Sequence, residues 1–237
     1  MKTSCSNVRH PKRCGWILDI VAVARIHNDF PAKFGLPRQS GMAPSLRSKI
    51  VFEPEYRVPE ALRGIEGFSY IWLIWGFSAN SDDGLFHPTV RPPRLGGNMR
   101  LGVFATRSPF RPNPIGLSSV KLESVENDGE NGLVLIVSGA DLMDGTPIYD
   151  IKPYLPVDSH PEATGGFVDD NPQVLLEVEI SPELESRLSE VQTATLREIL
   201  SQDPRPAYHS DPDRVYGLSY AGLDIHFSVR DGVATAF

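Results

Sequence analysis

The sequence is poor in cysteine and has no long apolar run, and these two absences exclude several classes of protein. Its two cysteines, Cys5 and Cys14, form no CxxC pair, so neither a disulfide scaffold nor a zinc site is expected. The longest apolar candidate, residues 17–26, is interrupted by two charged residues and falls short of the roughly 20 residues of a membrane helix. Residues 1–16 are too polar for a secretory signal and are interpreted as an N-terminal extension. We therefore expect a protein of the reducing cytoplasm with no membrane partner.

Familiar catalytic and nucleotide-binding motifs are also missing. The chain contains no GxGxxG after a strand, no GxxxxGKS or GxxxxGKT, no HExxH and no GxSxG. Its six histidines are scattered, and each is interpreted as a surface residue or a satisfied buried one. We predict no metal site, and these motifs identify no catalytic residue.

Negative charge is scarce in the first half of the chain, which the overall composition hides. The whole chain has 23 Lys and Arg against 30 Asp and Glu, a net charge of −7. Residues 1–122 nevertheless hold 17 basic and 8 acidic side chains, net +9, whereas residues 123–237 hold 6 and 22, net −16. Such asymmetry between the halves of a chain indicates a face that binds a polyanion.

No carboxylate occurs between Gly84 and Leu122, and the cations of this stretch lie in loops stiffened by proline. Arginine donates to phosphate oxygens in a fixed bidentate geometry, so the cluster suits a nucleic-acid backbone or a phosphorylated substrate. The alternative is that these cations pair with the many carboxylates of residues 123–170. The cations are Arg91, Arg94, Arg100, Arg107, Arg111 and Lys121, and a second carboxylate-free stretch, 30–52, holds Lys33, Arg38, Arg47 and Lys49.

The chain is rich in turn formers, with 20 glycines and 21 prolines, which favours many short strands over long helices. The run 68–77 is apolar on both faces, so we expect a central strand that is covered on both sides and keeps Trp72 and Trp75 in the core. The pattern predicts a mainly β fold in which residues 17–157 form a small β-barrel domain. Its predicted strands are 17–26, 49–53, 68–77, 101–105, 114–125, 133–138 and 147–154.

Beyond residue 157 the pattern changes to that of a small α+β domain. Residues 158–172 have the composition of a linker, and residues 173–237 are expected to form this C-terminal domain. Strands are predicted at 173–180, 215–220 and 223–229. A single helix is expected to begin after the N-cap Ser181 and to end before Asp203, with an apolar face made by Leu184, Leu188, Val191, Thr195 and Ile199.

The segment 141–144, with the sequence Asp-Leu-Met-Asp, links two predicted strands. Two carboxylates three positions apart suit a ribose diol or an adenine amino group. A bound metal is the weakest interpretation, since one such pair cannot fill the shell of a hard cation. The remaining interpretation is a hairpin turn in which the aspartates cap the backbone.

Five segments, in order along the chain, resemble the TsaA-like, or TrmO, family. They are PRQSG, RGIEGFSYIWLI, HPTVRPPRLGGNMRLGVFATRSPFRPNPIGLS, GADLMDGTPIYDIKPYLP and DPRPAY, and the match covers nearly all of residues 17–230. The family consists of S-adenosylmethionine-dependent methyltransferases that methylate N6 of threonylcarbamoyladenosine next to the tRNA anticodon. The resemblance implies a small β-barrel in place of a doubly wound sheet, and a homodimer. It also implies S-adenosyl-L-methionine as donor and tRNA carrying threonylcarbamoyladenosine as substrate.

The resemblance also implies where the two ligands bind. Many relatives have His at the position of Ser78, so a donor contact there is expected from the backbone or the hydroxyl. The arginines of the central block are expected to supply a cation for the threonylcarbamoyl carboxylate, and no base for the N6 proton is assigned. The donor-binding residues implied are Pro37, Arg38, Gln39, Ser78, Ala79, Arg107, Leu117, Asp141, Leu142, Met143 and Asp144. The expected substrate-binding residues are Arg91, Arg94, Arg111, Asp203, Arg205 and Tyr208.

Three hypotheses about function follow. The first is a tRNA N6-methyltransferase, with the donor on the barrel and the anticodon loop across the arginine-rich loops. The second is a small-molecule methyltransferase on the same barrel, whose substrate binding is nearly indifferent to salt. The third is a non-catalytic module that binds the donor or RNA, which the missing base motivates.

Overall fold

We obtained a computed structural model of the chain, and it describes residues 8–9, 19–80, 85–95, 99–206 and 211–237. No helix within these residues is long and apolar enough to cross a membrane. The short 3-10 helices are Pro54–Tyr56, Pro59–Leu62, Ile65–Gly67, Pro93–Leu95, Val103–Ala105, Gly129–Asn131, Pro156–Asp158 and Gly166–Val168. The α-helices are α1 (Pro182–Glu185) and α2 (Glu190–Ser201). The strands are β1 (Val8–Arg9), β2 (Ala24–His27), β3 (Arg47–Phe52), β4 (Tyr70–Gly76), β5 (Leu85–Phe86), β6 (Thr89–Val90), β7 (Leu101–Gly102), β8 (Ile115–Asn127), β9 (Leu133–Ser138), β10 (Pro147–Pro153), β11 (Glu177–Ile180), β12 (Tyr216–Tyr220), β13 (Leu223–Arg230) and β14 (Val233–Ala236).

Six strands close into a barrel in the order β10, β2, β3, β9, β8 and β4, and each neighbouring pair is antiparallel. Successive side chains of a strand point to opposite faces, so alternate residues fill the interior. Ile71, Leu73 and Trp75 of β4 do so, and each is at most 7% exposed. The prediction of a mainly β fold with an N-terminal barrel is therefore confirmed.

The apolar sequence of β4 predicts a strand that is covered on both sides, and this prediction is wrong for its outer face. Its outward residue Tyr70 is 46% exposed, and Trp72 is half-buried. The Trp72 indole N–H donates to the Asp158 carboxylate (2.9 Å), and its ring lies 5.2 Å from that of Tyr154. The outer face is thus a partly open surface. The core prediction is wrong for Trp72 and confirmed for Trp75.

Two predicted strands of the first domain, 17–26 and 101–105, keep less than half of their predicted residues. Residues 19–23 form no strand, although Val23 still makes a backbone hydrogen bond on each side. Its N–H donates to the Ile148 carbonyl (2.8 Å), and its carbonyl accepts the Glu53 N–H (2.9 Å). The run 101–105 is a strand only over β7, because Val103–Ala105 turn into a 3-10 helix. The Val103 carbonyl accepts both the backbone N–H (3.2 Å) and the hydroxyl (2.9 Å) of Thr106, which ends the strand there.

The C-terminal sheet has the order β11, β14, β13, β12, with β11 parallel to β14 and the other pairs antiparallel. Strand β14 is absent from the sequence predictions. It has the short sequence VATA and follows a tight turn at Gly232, which has a φ of +81°. Strand β14 lies between β11 and β13 and is the sheet partner of β11. It therefore joins the first strand of the C-terminal domain to the β12–β13 hairpin.

The prediction of one helix between Ser181 and Asp203 is wrong, because α1 ends at Glu185 and α2 begins at Glu190. A second N-cap separates them. The Ser189 hydroxyl accepts the Gln192 N–H (3.3 Å), while the Gln192 side chain accepts the Ser189 N–H (3.0 Å). This reciprocal capping box starts a new helix.

The loop between β2 and β3, residues 28–46, connects the barrel to the C-terminal domain. Its Phe30 and Leu46 are buried in the C-terminal core, where the Phe30 ring lies 4.7 Å from that of Tyr220. The Ser45 backbone N–H and hydroxyl both donate to the Glu198 carboxylate of α2, at 3.0 and 2.8 Å. The 28–46 loop is therefore held in place by the C-terminal domain.

Candidate functional site

A cavity of about 790 Å³ opens where the end of β4 and the start of β8 meet several loops. Its walls come from the 28–46 loop, from residues 76–80, 106–111 and 115–119, and from residues 141–146. Cavities that hold cofactors and drug-sized ligands typically measure about 300–1,000 Å³. The size therefore suits a small organic ligand such as a nucleoside derivative.

A glycine shapes the floor of this cavity. Gly116 lies opposite Trp75 in the antiparallel register, and a Cβ at this position would lie 2.2 Å from the indole Cε2. The missing side chain lets the indole lie across the neighbouring strand. There its N–H donates to the Ser118 hydroxyl (3.0 Å), and that hydroxyl donates to the Asp141 carboxylate (2.6 Å). A chain of two hydrogen bonds from Trp75 through Ser118 thus fixes the position of the Asp141 carboxylate.

Asp141 is the anionic group of the cavity. Burial raises the pKa of the Asp141 carboxyl above its ordinary value, although the Ser118 hydrogen bond and the charge of Arg107 oppose the shift. The Arg107 guanidinium donates to the Gln39 side-chain oxygen. The cations that line the same cavity are Lys33, Arg38, Arg107 and Arg111. One fixed carboxylate among several cations suits a ligand that carries charges of both signs.

Most of the expected donor-binding residues lie together in this cavity, and two do not. Leu142 is 1% exposed and packs in the barrel core. The Asp144 carboxylate accepts the backbone N–H of Asn28 (3.2 Å) and lies 3.1 Å from His27 Nδ1, so it stabilises the start of the 28–46 loop. Those that line the cavity are Pro37, Arg38, Gln39, Ser78, Ala79, Arg107, Leu117, Asp141 and Met143.

The expected substrate-binding residues are more dispersed. Arg111 lines the cavity, whereas Arg91 is exposed outside it. Asp203 and Arg205 bind each other through two hydrogen bonds of 2.7 and 2.8 Å, and the Asp203 carbonyl accepts Arg38 Nη2 (3.0 Å). This last bond links the DPRPAY segment to the cavity wall. The Arg94 side chain and Tyr208 lie outside the described part of the chain.

Sequence reasoning missed Ser118 and the role of Gly116. Both point inward on β8, in a row of alternate residues that continues with Val120 and Leu122. A serine at an inward-facing position of a barrel strand needs a hydrogen-bond partner, since burying an unpaired hydroxyl costs free energy. The alternation was therefore the available signal for a polar contact inside the barrel.

The partners of the basic side chains show that some cations pair with carboxylates and others bind neutral oxygens. Arg47 and Lys121 pair with Glu123 (2.8 and 3.2 Å), and Lys49 pairs with Asp128 (3.2 Å). In contrast, no ion pair within residues 19–80, 85–95, 99–206 and 211–237 joins a carboxylate to the arginines of the central loops that are described there. Their hydrogen bonds go to neutral oxygens: Arg100 donates to Thr89 Oγ1 (3.0 Å), Arg107 to Gln39 and Arg111 to the Thr106 carbonyl (2.8 Å).

Comparison with known proteins identifies two matching family models that together span the barrel and the C-terminal domain. The model described as the tRNA-methyltransferase O N-terminal domain matches residues 25–159. The model described as the TrmO C-terminal domain matches residues 173–237.

Individual relatives agree with the family models. The tRNA (adenine(37)-N6)-methyltransferase of Escherichia coli (strain K12) is 41% identical over 218 residues, which are 89% of this chain and 91% of that protein. The protein of the same description from Eikenella corrodens is 47% identical over 169 residues, covering 70% and 94%. A crystal structure of TrmO superimposes with a TM-score of 0.75 at 34% identity and covers 93% of this chain and 98% of that one. Because the family models match both parts of the chain in order, the chain belongs to the tRNA-methyltransferase O family.

Proposed function

We propose that the protein transfers a methyl group from S-adenosylmethionine to N6 of adenine 37 in tRNA, where the adenosine carries a threonylcarbamoyl group. The observation that carries this proposal is the cavity in which Asp141 is fixed beside Arg107. The descriptions of the relatives supply the reaction class.

The residues present fit the donor. S-adenosylmethionine supplies an electrophilic methyl group on a sulfonium. Adenine N6 attacks this methyl carbon in line with the carbon–sulfur bond, the sulfur leaves as a neutral thioether, and N6 gives up one proton. In the proposed complex, Asp141 and nearby backbone carbonyls accept hydrogen bonds from the adenosine, while Arg38 and Arg107 bind the carboxylate of the amino-acid part. Leu117, which is 59% exposed, offers apolar surface beside them.

The arginine-rich loops are proposed to bind the tRNA. Their guanidinium groups bind neutral oxygens and are therefore available to phosphate oxygens at little cost. Arg111 lines the cavity and is proposed to bind the threonylcarbamoyl carboxylate there. The Asp203–Arg205 pair is proposed to contact the substrate from the C-terminal domain, since Arg38 joins Asp203 to the cavity wall.

Three further properties belong to the same proposal. We propose a homodimer in the cytoplasm, with the barrel domain at 17–157, the linker at 158–172 and the C-terminal domain at 173–237. The family resemblance supports the dimer and the domain division. Light scattering coupled to size-exclusion chromatography of the full chain will determine the oligomeric state.

Methyl transfer to defined tRNA tests the proposal directly. Purified protein is mixed with donor labelled on the methyl group and with tRNA that carries or lacks the threonylcarbamoyl group. We expect label at adenine 37 of the modified tRNA and little in the unmodified one. Equal labelling of both tRNAs would contradict the substrate assignment, and labelling of neither would favour a non-catalytic binding module.

The salt dependence of binding separates tRNA from a small-molecule substrate. Each phosphate contact contributes about 0.7–0.9 to the slope of log affinity against log salt. We expect a steep slope for the wild-type protein and a slope lower by about that amount in Arg100→Gln, whose partner is the neutral Thr89 hydroxyl. Arg47→Gln is the matched control, because Arg47 is already paired with Glu123. A flat slope, or equal slopes for the two variants, would contradict the proposed role of the central arginines.

A further inference from the structure

Two phenylalanines of the arginine-rich loops stay largely exposed although they lie beside the cavity. Phe104 is 72% exposed and Phe110 is 56% exposed. Pro109 and Arg111, which flank Phe110, line the cavity, and so does Thr106, two residues after Phe104. Single exposed apolar side chains are common on protein surfaces, but a pair at the rim of a binding site needs an explanation.

The backbone that carries Phe104 is anchored. Phe104 lies in the 3-10 helix Val103–Ala105, whose Val103 is 1% exposed. The Thr106 backbone N–H and hydroxyl both close this turn on the Val103 carbonyl. The Phe104 ring therefore projects from a segment that is fixed on its buried side.

The turn that carries Phe110 is held by its own polar groups. The Phe110 N–H donates to the Ser108 hydroxyl (3.3 Å), and the Arg111 N–H donates to the Pro109 carbonyl (2.9 Å). The Arg111 side chain reaches back to the Thr106 carbonyl (2.8 Å). A loop that is ordered before binding loses little conformational entropy when a ligand arrives.

Positive charge lies close to the Phe104 ring. The Arg111 guanidinium carbon lies 6.0 Å from the centroid of the Phe104 ring, and the Phe86 ring stacks on the same ring at 6.4 Å. No Asp or Glu occurs in the sequence from 85 to 122. Arg100 and Arg111 bind neutral oxygens, so their charge is available to an outside ligand. The partner of this surface is therefore anionic and offers flat apolar faces.

Single-stranded nucleic acid has that chemistry, since its phosphates meet arginines and its unpaired bases stack on aromatic rings. An enzyme that acts on a base must also take the base out of its stack, which leaves its neighbours without a stacking partner. We infer that Phe104 and Phe110 stack on the unpaired nucleotides that flank the target adenosine. This inference rests on the proposed function, because it assumes that an RNA loop enters the cavity.

Binding of an anticodon stem-loop RNA, followed by fluorescence anisotropy, tests the inference. Phe104→Ala and Phe110→Ala are each expected to weaken binding about 5- to 150-fold, the range for the loss of one stacked base. Phe104→Tyr and Phe110→Tyr keep a ring and are expected to bind within about twofold of wild type. Phe237→Ala removes another exposed aromatic, in the C-terminal part of the chain, and should change nothing. Unchanged binding of both alanine variants would overturn the inference.

An RNA with an abasic site next to the target adenosine adds a stricter test. Wild-type protein should bind this RNA more weakly than the intact RNA. The alanine variant that lacks the matching ring should bind both RNAs equally, because it has already lost the stacking interaction that the missing base removes. Losses that add fully would overturn the inference. So would a change from dimer to monomer in the alanine variants by sedimentation, since the rings would then contact a second copy of the chain.

The outcome is distinguishable from a failure of the proposed function. If wild-type protein binds the stem-loop with these ring-dependent losses but methylates no tRNA, the stacking surface stands and the enzymatic assignment fails. If wild-type protein methylates tRNA while the alanine variants bind and react normally, only the stacking inference fails.

Discussion

Asp141→Asn is expected to weaken donor binding about 10- to 150-fold while leaving the protein at least as stable at neutral pH. The range is that of a hydrogen bond to a charged group, ~1.5–3 kcal/mol. The amide keeps the shape of the side chain and still accepts the Ser118 hydroxyl, which lies 2.6 Å from the carboxylate. The variant therefore removes the negative charge and keeps this hydrogen bond.

The stability part of this prediction follows from the direction of the pKa shift. Burial raises the pKa of the Asp141 carboxyl, so the folded protein holds this proton more tightly than the unfolded chain does. Stability consequently falls as the pH rises from the ordinary carboxyl pKa to the raised one, and it stays lower above that window. Asparagine has no such titration, so the variant lacks this loss at neutral pH.

Calorimetric titration with S-adenosylmethionine and urea unfolding at two pH values measure the two effects separately. Asp150→Asn is the matched control, because Asp150 is a half-buried carboxylate outside the cavity that is paired with Lys152. It should bind the donor normally. Wild-type donor affinity in Asp141→Asn would contradict the proposed role of the carboxylate, and a clear loss of stability would contradict the direction of the pKa shift.

Gly116→Ala is expected to destabilise the barrel by about 1–3 kcal/mol or more and to weaken donor binding at the same time. A Cβ at Gly116 would lie 2.2, 2.4 and 2.7 Å from three atoms of the Trp75 indole. This ring is 7% exposed, packs edge-on against Phe77 at 4.4 Å and donates to Ser118. Because the indole is rigid and enclosed, it must move as a whole, and its movement breaks the chain of hydrogen bonds to Asp141.

Chemical unfolding followed by tryptophan fluorescence measures this effect, and Gly102→Ala provides the control. Gly102 has a φ of −58°, and a Cβ there would meet nothing within 4 Å. Its replacement should change the free energy of unfolding by less than about 0.5 kcal/mol. Equal stability of the two variants would show that Trp75 adapts to the extra methyl group.

The barrel strands were predictable because short apolar runs between turn-forming residues define them locally. The strand expected at 133–138 has those bounds, since its apolar residues and flanking turns define it without help from the rest of the chain. The break between α1 and α2 was also predictable from the sequence, because Ser189 and Gln192 have the spacing of a capping box. Apolar periodicity through Leu188 concealed it. Strand β14 was not predictable, since its short sequence VATA becomes a strand only by pairing with β13 and β11.

Sequence patterns alone pointed to Asp141 and to the cations of the cavity as ligand-binding candidates, and the family resemblance supplied the other positions. Asp141 and Ser118 lie 23 residues apart and meet because β8 and the loop after β9 converge at one end of the closed barrel. Composition likewise does not show which cations bind a ligand and which pair with carboxylates of the same chain. The structure divides them: Arg47 is paired with Glu123, whereas Arg100 binds a neutral hydroxyl. Charge counts carry no information about which side chains become neighbours.

The shared 28–46 loop has a consequence for modularity. One stretch of this loop carries Arg38 and Gln39 in the cavity, while Phe30 and Leu46 lie among the C-terminal core residues. A barrel separated at the 158–172 segment would keep its six strands but expose both apolar anchors to water. The proposed donor cavity would then lose the support behind one of its walls. The C-terminal domain thus supports one wall of the cavity through this loop.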